Sequence, residues 1–224
     1  MTRCHRWVAA PAGLLAMLVV SGCAPVIVGT PTWPGATLEK VLLTPTDFPP
    51  GVQVDRVTDD GTGPGGPGGP PPMLSTPVGC SDGLTRVIAE SAERGPGSAA
   101  QIIAAYDGAR MVLTVMASPL PLDRLAATAE RCAQFSTYFD PADKGIPMTT
   151  TKLTAPRASA LVYQQTMQLG GRAQSIFFAF ENVGNWAVFG IAFPTQDPSI
   201  VAKGALPQTF LDVFGTQAER LASH

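Results

Sequence analysis

Histidine is almost missing from this sequence. The 224 residues include two, His5 and His224. No internal imidazole is therefore present to act as a base, which excludes a Ser-His-Asp triad and removes the usual partner of a cysteine nucleophile. Charge is also scarce. Only 14% of residues are charged, and 15 Lys and Arg stand against 17 Asp and Glu. Such a balance lacks the basic footprint that nucleic-acid binding requires. Intrinsic disorder is excluded in turn, because 45% of the chain is hydrophobic, far above what a disordered segment carries. Beyond the first 22 residues no stretch approaches 18 consecutive apolar residues, so nothing later in the sequence reads as a membrane-spanning helix.

Glycine and proline are abundant, 23 and 22 residues, so loops are prominent. The N-terminus has the pattern of an export signal. Arg3, His5 and Arg6 form a positive start, and residues 7–20 are apolar without a charge. This run is short for a membrane span and fits the core of a signal peptide over residues 1–22. It ends Val20-Ser21-Gly22-Cys23, which resembles the bacterial lipobox. That likeness implies cleavage after Gly22 and a lipid on Cys23, anchoring the chain to the outer face of the plasma membrane. Two or more acyl chains hold a protein stably, at about 0.8 kcal/mol per buried methylene. An ordinary secreted protein with a chance cysteine is the competing explanation. Cleavage would remove Arg3 and Arg6, leaving 13 basic residues against 17 acidic ones, a net charge of −4, which gives no bulk attraction to anionic headgroups.

Four cysteines are present. Cys4 lies in the signal and Cys23 in the lipobox, which leaves Cys80 and Cys132. Two cysteines in an exported domain point to one disulfide. A metal site would need more ligands, and a nucleophile would need a base. No cofactor is expected.

Residues 23–36 hold three prolines and two glycines and read as the lipidated N-terminus with a flexible tether. Residues 37–224 read as a single domain. Within it, residues 60–73 include Gly61-Thr62-Gly63-Pro64-Gly65-Gly66, a literal G-x-G-x-x-G. The prolines around it forbid the helix that a dinucleotide site needs, so a loop is expected. Short apolar patterns predict a helix near residues 38–41, a strand over 52–57 and a helix over 80–91 capped by Ser81. Asp107-Gly108 between two apolar runs predicts a hairpin of strands 101–106 and 110–117. Apolar positions Leu122, Leu125, Ala129 and Cys132 predict a helix over 121–135 with Cys132 inward. Strands follow over 149–154, 161–168, 173–180 and 186–193, with turns at Gly170-Gly171 and 181–185. A helix over 207–222 closes the chain. The expected fold is α+β: a mainly antiparallel sheet with helices packed on it and one disulfide.

Catalytic chemistry finds no foothold in this pattern. Asp59-Asp60 and Asp140/Asp143 read as solvated turn carboxylates, and no motif pairs a serine with a lysine, so the protein is expected not to be an enzyme. The suggestive feature is aromatic. Phe177, Phe178, Phe180, Trp186, Phe189 and Phe193 fall on two adjacent strands, and alternation sends some to each face. Either both faces are covered core, or one lines an apolar pocket. Phe178, Phe180, Trp186 and Phe189 are the candidate ligand-binding residues, with Met111, Met116 and Met167 as possible neighbours.

The run Leu42-Leu43-Thr44-Pro45-Thr46-Asp47-Phe48-Pro49-Pro50-Gly51, then Cys80, the hairpin, Ala129-Glu130-Arg131-Cys132, Asn185-Trp186-Ala187-Val188 and the closing helix together resemble lipoproteins of mycobacteria. Their exported part is similar to the extracellular sensor domain of a receptor serine/threonine kinase. The resemblance spans residues 37–222 and implies an antiparallel sheet flanked by helices, a ligand cleft and no known enzymatic activity. The kinase sensor has two disulfides where this chain has cysteines for one. The functional expectation is a membrane-anchored, sensor-like binding module for an apolar envelope ligand. The alternative is a protein-interaction module that docks on another envelope protein.

Overall fold

The structure, a computed structural model, describes residues 36–57, 73–91 and 97–224. The signal segment, Cys23 and the Gly/Pro-rich stretch therefore lie outside the described residues. Four helices and nine strands are described: α1 (Ala36–Val41), β1 (Gln53–Val57), β2 (Leu74–Thr76), α2 (Gly83–Ser91), β3 (Ala99–Tyr106), β4 (Ala109–Met116), α3 (Leu122–Arg131), β5 (Gln134–Tyr138), β6 (Ile146–Leu153), β7 (Leu161–Leu169), β8 (Arg172–Val183), β9 (Trp186–Phe193) and α4 (Gln208–Ala222). The strands form one sheet in the order β1-β3-β4-β9-β8-β7-β6-β5-β2, every pair antiparallel. The α+β expectation holds.

Strands β8 and β9 sit in the middle of this sheet, as their two-faced apolar sequence requires. Odd-numbered Phe177 and Ala179 of β8 join one core with Val188 and Ala192 of β9. Phe178 and Phe180 join another with Ala187, Phe189 and Ile191. Helices α1 and α4 cover the first face, and α2 and α3 the second. In α4, Phe210, Phe214, Gln217, Ala218 and Leu221 face inward, the three-and-four spacing of an amphipathic helix.

Two buried polar groups lie on the α4 side. Gln217 is fully buried. Its Nε2 donates to the Val41 carbonyl at 2.8 Å and its Oε1 accepts from the Leu43 amide at 3.0 Å. It thereby satisfies the backbone where α1 ends. Glu181 is 1% exposed. Its Oε1 accepts from Arg157 Nε at 2.7 Å and Ser159 Oγ at 2.6 Å, while Oε2 has no partner among the described residues. The carboxylate at Glu181 holds the Arg157 guanidinium above its ordinary pKa.

The Asp107-Gly108 hairpin is present, with Tyr106 opposite Ala109. Gly108 has φ +109°, and a Cβ there would collide with the Gly204 carbonyl oxygen. Glycine is thus required by backbone conformation and by close approach together.

Several boundaries differ from the sequence expectation. The helix expected over 121–135 stops at Arg131, and Phe135 already belongs to β5. The Cys132 amide closes the helix on the Thr128 carbonyl, and the β-branched and aromatic residues beyond it extend. Strand β2 went unseen, because three residues carry too short a pattern. Ser81 does not cap α2; its hydroxyl donates to the Met73 carbonyl at 2.5 Å. The β8–β9 connection is shorter than 181–185, because Val183 pairs with Trp186 around Gly184-Asn185. The disulfide joins Cys80 to Cys132 across 52 residues. It ties the approach to α2 to the end of α3.

Candidate functional site

Helices α2 and α3 are short, 9 and 10 residues. They cover Phe180 and its neighbours but not the outer part of that sheet face. Beside the first turn of α2, over strands β5 to β8, a cleft of about 230 Å³ opens. Its floor is fixed by register. Phe135 faces Met148, Met148 faces Met167, and Gln165 faces Ile176. Phe178 lies two residues beyond Ile176 on the same face. Leu84 and the turn before it form the wall, and Met73 also lines the space.

The polar groups around this cleft are mostly turned elsewhere. Thr137 Oγ1 donates to the Leu74 carbonyl at 3.0 Å. Ser75 Oγ accepts from the Cys80 amide and donates to the Pro77 carbonyl, both at 2.8 Å. Asp82 pairs with Arg86 at 2.5 Å. Gln165 is the polar exception on the floor. It is 7% exposed, and its side-chain bond is a 3.3 Å contact from Nε2 to Thr150 Oγ1. What remains is thioether, aliphatic and aromatic surface with one amide, the composition of a site for an apolar ligand. The volume lies just under the usual range for small-molecule pockets, about 300–1,000 Å³. Three methionines line it, and unbranched thioethers adapt their rotamers readily. Outward, the apolar strip continues through Ile176 and Leu169, which are 39% and 49% exposed.

The sequence-derived candidates separate. Phe178 lines the cleft. Phe180 is fully buried beside it, stacked on Phe189 with ring centres 5.3 Å apart and on Phe178 at 6.5 Å. Phe180 and Phe189 therefore form core under α2 and α3. Trp186 packs into the core of the opposite face. Met167 lines the cleft, Met116 lies in the core behind it, and Met111 is buried on the other face. Met73, Met148, Phe135 and Ile176 were not singled out by sequence. For Phe135, Met148 and Ile176 the signal is register, because the cross-strand pairing of β5 to β8 places them side by side, while Met73 comes in just before β2.

Among the described residues no group of three or more His, Cys, Asp or Glu could hold a metal ion, and no helix is long and apolar enough to cross a membrane. No protein-family model and no curated protein matches the chain. Among solved structures, an uncharacterised protein of Mycobacterium smegmatis, an Rv0999 ortholog, matches with a TM-score of 0.49 and 16% identity, over 79% of this chain and 92% of that one.

Proposed function

We propose that this chain is an exported, membrane-anchored, non-enzymatic binding module. It takes a small apolar ligand, or one apolar chain of an envelope lipid, into the cleft under α2. The observation that supports this most is the lining: Met73, Met148, Met167, Ile176 and Phe178 meet around one space beside the disulfide. A core region would close such a gap, since voids lose dispersion contacts. The sensor-like resemblance and the lipobox at Cys23 support the same reading, that of a module at the outer face of the plasma membrane, where apolar envelope ligands are at hand.

The test is mass spectrometry of organic extracts from the full chain purified out of its native membrane. The Cys23→Ser chain is run beside it, so that an anchor lipid is not counted as cargo. A stoichiometric apolar compound is expected in both, and its loss on Met167→Lys would tie it to the cleft. An empty extract from both chains would refute the proposal and turn attention to protein partners, the competing function.

A further inference from the structure

The Leu42-to-Gly51 segment, the longest motif in the sequence, takes no part in the apolar cleft. It lies on the other face of the sheet, where it helps to enclose a second cavity of about 320 Å³. The base of this cavity is apolar: Leu43, Phe48 and Tyr106 are 2%, 8% and 4% exposed, and Val213 of α4 adds a wall. Tyr106 ends β3 with its ring in this base. Tyr106 lines the cavity, and its hydroxyl makes no hydrogen bond to another described residue.

The rim carries both signs of charge. Asp47, Lys203, Thr209 and Asp212 stand around it. Asp47 is held by Arg220, and Lys203 by Asp107. Asp212 is different. Its Oδ1 accepts from Gln208 Nε2 at 2.7 Å, and no cation pairs with it among the described residues. Asp47 and Lys203 are thus already neutralised by their partners, and an anionic ligand would meet the unbalanced charge of Asp212. A neutral hydroxylated ring suits the groups left free, giving its O–H groups to the Asp212 carboxylate and accepting from the Tyr106 phenol. Its C–H face would lie on Phe48 and Leu43.

We infer that this second cavity binds a neutral polyhydroxylated ring, of the sugar or cyclitol class, with Tyr106 and Asp212 as its main hydrogen-bonding groups. Burial pushes the Tyr106 phenol above its ordinary pKa, and the Asp212 charge adds to this. The hydroxyl therefore stays protonated at neutral pH and can donate. A wider groove between α2 and α3 is lined by Arg86, Arg124 and Arg131, but each of those guanidinium groups is already engaged by a protein oxygen. It supports no ligand as clearly.

The experiment follows the backbone amide resonances of Tyr106, Thr209 and Asp212 during titration with glucose, galactose and myo-inositol. Glucosamine and glucuronate serve as charged counterparts. At least one neutral ring is expected to shift these amides saturably and to bind more tightly than either charged analogue. Tyr106→Phe, which keeps the packing, is expected to weaken that binding roughly tenfold with little change in Tm. Asp212→Asn on the exposed rim is expected to weaken it as well. Absence of saturable shifts with every neutral ring would overturn the inference. So would tighter binding of a charged analogue, or unchanged affinity in Tyr106→Phe. None of these results bears on the apolar cleft, which lies on the opposite face.

Discussion

The two faces of the central sheet are built from the same strands and end differently. On one, a single helix of 15 residues crosses the middle of the sheet, with α1 beside it and Gln217 joining the two. On the other, two short helices share the task, tied together by the Cys80–Cys132 bridge. The first buries the larger core, with a cavity at its edge beside Leu43 and Tyr106, while the second holds an apolar cleft over strands β5 to β8. The cleft sits beside the start of α2, which the disulfide ties to the end of α3.

Removing that bridge should break the comparison most sharply. Cys80→Ser with Cys132→Ser frees a loop of 52 residues, at about 4 kcal/mol in the loop-entropy account. Urea unfolding should show this loss. Hydrogen exchange should show lost protection in α2 and α3 while β9 and α4 stay protected. Equal loss on both faces would mean that the faces are not independent.

Gln217→Leu strikes the other face. It leaves the Leu43 amide and the Val41 carbonyl without partners, two buried groups at about 1–3 kcal/mol each. A loss of about 3 kcal/mol is expected, with the cleft undisturbed. Gly190→Ala comes next. A Cβ there would stand 2.8 Å from Phe210 Cε2 and 3.2 Å from Leu113 Cδ2, so α4 must shift. Overpacking of this kind costs about 2 kcal/mol, readable as a lower Tm.

The smallest effect is on pH. Backbone and side-chain hydrogen bonds from Thr44, helped by Arg220, hold Asp47 below its ordinary pKa of 3.8. The Lys203 ammonium does the same for Asp107. A depressed carboxylate contributes stability that is complete above the ordinary value and lost as pH falls through the folded one. Stability should therefore decline below about pH 4. Asp107→Asn should flatten that decline slightly in acid titrations followed by circular dichroism.

Periodicity and turn chemistry made much of this fold legible. Asp107-Gly108 and Gly170-Gly171 marked hairpins because backbones of positive φ favour glycine. The doubly apolar strands marked the centre of the sheet, and Cys80 with Cys132 marked the staple. The end of α3 was not legible, because Cys132 to Phe135 continues a helical pattern that the chain leaves only once β5 pairs with β6. The cleft was half legible. Phe178 and Met167 stood out by type, but Met148 and Ile176 meet them only through strand register, which a sequence does not display. Trp186 was grouped with Phe178 by proximity, although their side chains belong to opposite faces.

The most direct measurement is methyl NMR of the chain with 13C-labelled methionines, titrated with dodecanoic acid below its critical micelle concentration. The Met73, Met148 and Met167 methyls line the cleft, whereas Met111 and Met116 lie in closed core. Saturable shifts confined to the first three, abolished by Met167→Lys, are the predicted result. Absent shifts, or shifts spread equally over all five, would contradict an apolar binding cleft under α2.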